Sequence, residues 1–172
     1  MALRSATRPD SATPTYEEYV GTRWIALYRT AYLLTGSHAD AEDLAQATLV
    51  KAYLSWSKVS AASSPDAYVR RILSNAFLSS RRPLRVARER LVEAPPEVAA
   101  VAPDGDDRLV LWPHVRELPP RQRAVIVLRY YEDLSEHEIA DVLGCSPGTV
   151  KSTASDALSA LRRQIAATEG TS

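Results

Sequence analysis

The sequence predicts an all-α protein built as two small helical domains joined by a flexible linker. Three observations carry this. Apolar residues recur at three- and four-residue spacing over most of the 172 residues, and no segment shows a convincing strand alternation. Ser/Thr-x-x-Glu pairs and single glycines stand where those stripes begin and end, as helix caps do. Between them, residues 83–107 carry Pro83, Pro95, Pro96, Pro103, Gly105 and a run of acids, which reads as a linker. The expected organisation is a disordered N-terminus over 1–14, a first domain over 15–82, the linker over 83–107, a second domain over 108–165 and a tail over 166–172.

In the first domain, Thr15 with Glu18 can cap a helix whose stripe is Tyr16, Tyr19, Val20, Trp24, Leu27, Tyr28, Ala31 and Leu34, ended by Gly36. Ser37 and Asp40 open a second helix, with Ala41, Leu44, Ala45, Thr48, Leu49, Ala52, Tyr53 and Trp56 expected on its inner side. A loop over Val59–Ser64 leads to Pro65 and a third helix, which buries Val69, Ile72, Leu73 and Ala76 and ends in Arg81-Arg82-Pro83. Arg85 to Arg90 can fray on as helix.

The second domain starts near Asp106, with Pro113 as a candidate break. Leu118-Pro119-Pro120 makes a turn, and Arg121 to Tyr131 is the next helix; its run Val125-Ile126-Val127-Leu128 is strand-like, but its flanks are helical. Then comes the most informative stretch, Leu134 to Leu161. Ser135 and Glu138 form a capping box, Ile139, Ala140 and Leu143 give an apolar side, and Gly144 stops the helix. Ser146 and Pro147 start the next one, with Val150, Ala154, Leu158, Leu161 and Ile165 on its buried face. Its other face offers Thr149, Lys151, Ser152, Ser155 and Asp156. A helix that docks by an apolar stripe and shows small polar residues to solvent has the form of a DNA recognition helix. An ordinary helical hairpin is the alternative.

Composition narrows the function. The single cysteine, Cys145, excludes an internal disulfide framework, and with three scattered histidines it supplies no zinc site. There is no long apolar run for a membrane span and no apolar core in the N-terminal segment for a secretory signal, so a cytoplasmic protein is expected. No Gly-rich phosphate loop, paired catalytic carboxylates or nucleophile constellation appears; neither an enzyme nor a cofactor is expected. The formal net charge is zero, but the charge is segregated: seven Arg and two acids between Pro65 and Arg90, then five acids and no base between Leu91 and Asp107. Local fields of this kind matter more to DNA than the total. The acidic linker reads either as a nucleic-acid mimic for a basic channel or as a solubilising spacer.

These pieces, in this order, resemble a bacterial RNA polymerase sigma factor of the extracytoplasmic-function type. DAEDLAQATLVKAY, from Asp40 to Tyr53, resembles the region 2.2 signature; AYVRRILSNAFLSSRR, from Ala67 to Arg82, resembles region 2.4; LPPRQRAVIVLRYYEDLSEHEIADVLGCSPGTVKS resembles region 4. TAYLLTG and YVRRIL are similar to the actinobacterial sigma-E subgroup. The resemblance implies a region 2 helical bundle and a region 4 helix-turn-helix, with core RNA polymerase and promoter DNA as partners. An anti-sigma protein is a further candidate partner. It implies that Asp40, Glu42, Asp43 and Gln46 bind core polymerase. It implies that Trp56, Tyr68, Arg70, Arg71, Asn75, Arg81 and Arg82 meet the minus-ten element, with Asn75 at the position that contacts a flipped base and the arginines on phosphates. It places Arg121, Arg123, Arg129, Gly148, Thr149, Lys151, Ser152 and Ser155 at the minus-thirty-five element. Three positions depart from the pattern: Ala47 where the family usually has Glu, Leu49 where it has Phe, and Asp156 where it commonly has Arg. A stand-alone helix-turn-helix regulator remains the alternative; it leaves the Asp40–Tyr53 motif without a purpose.

Overall fold

The computed structural model describes residues 13–80 and 106–170, and no strand occurs among them. The first unit holds α1 (Tyr16–Thr35), α2 (His38–Leu54), the short α3 (Trp56–Ala61) and α4 (Pro65–Ser79). The second holds α5 (Asp106–Arg116), α6 (Pro120–Ile126) with its π-helical continuation Val127–Tyr131, α7 (Glu136–Leu143) and α8 (Pro147–Glu169).

The expected caps form. Thr15 accepts from the Glu18 amide at 3.2 Å while Glu18 accepts from the Thr15 amide at 2.9 Å, and Ser135 and Glu138 repeat the reciprocal pair at 3.2 and 2.8 Å. Each satisfies amides that the first helical turn leaves without partners. Ser37, Ser64 and Ser146 cap α2, α4 and α8 through their hydroxyls. Gly36 and Gly144 close α1 and α7 at φ 74° and 64°, a region where a side chain is strained.

Five details differ from the sequence reading. Part of the expected loop over Val59–Ser64 is the end of α3, and Val59 is fully buried in it. Tyr53, expected inside, is 60% exposed at the end of α2, with its ring edge-on to Tyr16 at 5.1 Å. Pro113 lies inside α5 without breaking it. The expected tail is helical through Glu169. The helix Arg121–Tyr131 changes to π geometry at Val127, where the Glu132 amide donates to the Val127 carbonyl at 3.1 Å. Asp133 then takes a left-handed φ of 54°, and the Leu134 amide reaches back to the Leu128 carbonyl at 3.0 Å. Asp is among the few residues with a Cβ that visit this conformation readily. The N-terminal segment to residue 12, Arg85–Arg90 and the linker as far as residue 105 lie outside the described residues.

The two units share one contiguous apolar core. In the first, α1 packs on α2 and α2 on α4; in the second, α6 and α7 pack on α8. Across the seam α7 lies on α4, and α1 meets α5, α6 and the π turn. This explains why α1 buries Thr30 and Leu33 beyond its expected stripe. Tyr32 and Trp112 rings meet at 6.0 Å, and Trp112 also meets Tyr131 edge-on at 6.3 Å. Burial on both sides makes α1 the helix around which both units are built.

Candidate polymerase and promoter interfaces

The N-terminal half of α2 presents a polar face. Glu42, Asp43 and Gln46 are exposed, and Gln46 donates to Glu42 at 3.2 Å across one helical turn. Asp40 is half-buried in the first turn; the cap itself is Ser37, which accepts from the Asp40 amide at 3.4 Å. Acids there sit at the positive end of the helix dipole. Ala47 continues the exposed face toward Val50 and Leu54, which are 59% and 77% exposed. The surface is therefore acidic at one end and apolar at the other.

On α4, Arg71 and Asn75 are exposed one helical turn apart. Tyr68 is half-buried against the core. Trp56, on α3, packs among Tyr16 and Tyr19 at 5.6 and 5.3 Å between ring centroids. Tyr19 donates its hydroxyl to Asp66 at 3.0 Å, and burial together with that carboxylate raises the phenol above its ordinary range. Asp66 in turn pairs with Arg23 at 2.8 Å. Arg70 is half-buried, and its Nε donates to Glu132 at 3.2 Å. Arg81 and Arg82 lie outside the described residues.

In the second unit Gly148, Thr149, Lys151, Ser152, Ser155 and Asp156 are all exposed on α8, and α7 precedes it as the first helix of a helix-turn-helix. Thr149 and Ser146 hydroxyls lie 2.9 Å apart, and Ser152 donates to the Thr149 carbonyl at 3.0 Å, so this end of α8 is held by its own short side chains. Arg121 is exposed at the start of α6. Arg129 is half-buried, stacks near the Tyr130 ring and pairs with Glu136 at 2.8 Å. That hydrogen bond lowers the Glu136 carboxyl below its usual value and raises Arg129.

Arg123 corrects the sequence reading. Expected beside DNA, it is only 6% exposed. Its guanidinium donates to the carbonyls of Leu34 at 2.7 Å, Arg116 at 2.6 Å and Leu118 at 3.1 Å. Desolvation, then the charge of Arg116, lowers its pKa. Five donors in a rigid fork let one side chain close the ends of α5 and α1 together. Sequence reasoning also missed Glu132, whose two carboxylate oxygens bind Thr30 and Arg70. Its only sequence signal is an acid beside the left-handed Asp133.

Comparison with known proteins agrees with this arrangement. The family model "Sigma-70 region 2" matches residues 25–85 and "Sigma-70, region 4" matches 115–161. The chain is 39% identical over 155 residues to the RNA polymerase sigma-E factor of Streptomyces coelicolor, covering 88% of this chain and 86% of that protein. It is 33% identical over 160 residues to the ECF RNA polymerase sigma factor SigL of Mycobacterium tuberculosis, covering 86% of this chain and 84% of that one. Among solved structures, the sigma factor RpoE in complex with the anti-sigma factor NepR from Bartonella quintana aligns with a TM-score of 0.67 at 28% identity, over 87% of this chain and 96% of that one. The region 2 match, which a stand-alone helix-turn-helix regulator does not require, decides between the two readings, and the chain belongs to the sigma-70 family as an extracytoplasmic-function RNA polymerase sigma factor.

Proposed function

We propose that this chain binds core RNA polymerase through the exposed face of α2, reads the minus-ten element through α4 and reads the minus-thirty-five element through the N-terminal end of α8. The observation that carries the reading is the coexistence, in one chain, of an exposed carboxylate face on α2 and an exposed small-polar face on α8. A row of carboxylates suits a basic partner helix through charge-assisted hydrogen bonds. Small polar side chains at a helix N-terminus fit base edges in the major groove. Arg71 and Asn75 on α4 supply a phosphate contact and a hydrogen-bonding amide for an unstacked base. The role is that of a non-catalytic subunit acting in the cytoplasm. The two solved relatives RpoE and CnrH are each bound to another protein, the first to an anti-sigma factor and the second to the cytosolic domain of CnrY; an anti-sigma partner for this chain follows from that likeness.

The test is charge reversal of Glu42 and Asp43 to Lys. Both side chains are exposed, so the helical circular dichroism should stay unchanged while co-purification with core polymerase is lost. Unchanged co-purification would falsify the assignment of this face.

A further inference from the structure

Arg129 is among the residues placed at the upstream element, yet its guanidinium already has an anion. It lies in the π turn that continues α6, and its Nη1 donates to Oε1 of Glu136, in the first turn of α7, at 2.8 Å. The ring of Tyr130 lies 5.8 Å from the guanidinium carbon. The Arg129 and Glu136 side chains are 34% and 33% exposed, so solvent and an outside ligand can reach the pair. Lys151, in the N-terminal part of α8, is close enough to add to the attraction on the Glu136 carboxylate. Three elements thus bring one acid beside two bases where the helix-turn-helix meets α6.

The surrounding sequence gives this acid its weight. From Leu134 to Asp156 the chain carries Glu136, Glu138, Asp141 and Asp156 against one lysine and no arginine. A helix-turn-helix draws much of its affinity from cations that meet phosphates whatever the base sequence. Its first helix crosses the DNA backbone, and Glu136 stands at the start of that helix. Resting on the reading of α8 above, we propose that Glu136 sets the strength of the upstream contact: it withholds Arg129 from a DNA phosphate and so keeps the sequence-independent affinity low. The other acids are placed differently. Glu138 accepts from the Ser135 amide at 2.8 Å, within its own cap. Asp141 and Asp156 are exposed on α7 and α8. Glu136 is the acid that holds a basic residue placed at the upstream element. A guanidinium has donors enough to bridge two anions, but here the second would be a phosphate brought next to a carboxylate, and their repulsion opposes the bridge.

The test uses holoenzyme formed from the full chain and core polymerase. A fluorescein-labelled forty-base-pair duplex is enriched from a random library by the unaltered holoenzyme and compared with a scrambled duplex of the same composition. Anisotropy reads binding across a salt series. Glu136→Ala should tighten binding to both duplexes by about fivefold at low salt, the most that an exposed ion pair withholds. It should also steepen the salt slope by about 0.9 for the added phosphate contact. The preference for the enriched duplex should not change, because a phosphate contact adds equally to every sequence. Glu136→Gln, which keeps an acceptor for Arg129 without the charge, should fall between. Arg129→Ala added to Glu136→Ala should cancel both the gain and the added slope. Asp141→Asn removes the same charge further along the same helix and should add no slope. Helical circular dichroism checks the fold of each form; if Glu136→Ala is unfolded, Glu136→Gln carries the same comparison. Binding that is unchanged or weaker without Glu136 overturns the proposal. So does a gain that survives Arg129→Ala, a gain confined to one duplex, or an equal gain from Asp141→Asn. A preference for the enriched duplex that survives Lys151→Ala combined with Ser152→Ala overturns instead the reading of α8 on which the proposal rests.

Discussion

Replacing Arg123 by Ala tests the most definite departure of this structure from its sequence. The guanidinium makes three charge-assisted hydrogen bonds, at 2.6, 2.7 and 3.1 Å, to the carbonyls of Arg116, Leu34 and Leu118. Each such bond is worth about 1.5–3 kcal/mol. Much of that total is offset by the cost of burying the cation, and the Nε already lacks a partner. Truncation removes the donors and leaves the Leu34 and Leu118 carbonyls buried and that of Arg116 part-buried, so the net loss should be about 3 kcal/mol. For a chain of this size that lowers the melting temperature by roughly 6–12 °C. Arg123→Lys should recover only part, because one ammonium cannot fork to three diverging acceptors. Thermal unfolding followed by circular dichroism measures the shift. A melting temperature within 2 °C of the unaltered chain, combined with a salt slope of duplex DNA binding reduced by about 0.9, would refute the burial and restore Arg123 to the phosphate.

Three further outcomes follow from exposed groups. Asn75→Ala should leave stability within about 0.5 kcal/mol yet reduce open-complex formation by about 1–3 kcal/mol, read by permanganate footprinting; equal loss on pre-melted templates would indicate a different role. Asp156→Arg should tighten duplex binding and steepen its salt slope by about one unit, as titrations at several salt concentrations would reveal; no change in either places Asp156 off the DNA. Glu136 and Glu138 both have carboxyls held below the ordinary 4.5, by Arg129 and by the Ser135 amide respectively. A lowered folded pKa gives stability that is complete above the unfolded value and is lost as pH falls through the folded one. The urea midpoint should therefore drop below pH 4.5, and the double replacement by Gln should flatten that drop; an equal drop in the double variant rules out these two groups as its source.

Much of the fold was legible because local chemistry wrote it. Thr15, Ser37, Ser135, Ser146, Gly36 and Gly144 each act within a few residues of themselves, so their roles can be read from spacing alone. The buried faces of α1, α2 and α8 follow from periodicity for the same reason. The seam was not legible. Arg123 and Leu34 are 89 residues apart and Thr30 and Glu132 are 102 apart, and nothing in an arginine's identity says whether it will meet a phosphate or a carbonyl. Arg70 and Arg129 carry the same ambiguity, and spacing gave no sign that they would pair with Glu132 and Glu136. On the candidate interfaces, the exposed residues of α2 and of the start of α8 were placed correctly on solvent-facing sides, since a polar residue opposite an apolar stripe has only one direction to point. Tyr53 differs because an aromatic residue at a helix end is read as core, whereas here it lays only one edge on Tyr16 and leaves most of its surface in solvent.

The position of Trp112 has a practical consequence. Its indole lies between Tyr32 of one unit and Tyr131 of the other and is only 8% exposed. Separation of the units would bring that ring into water, and indole emission shifts to longer wavelength in a polar environment. Trp24 and Trp56 both lie in the first unit and pack against its own residues, Tyr28 and the pair Tyr16 and Tyr19. In a chain with those two replaced by Phe, the colour of the remaining fluorescence becomes a label-free gauge of opening.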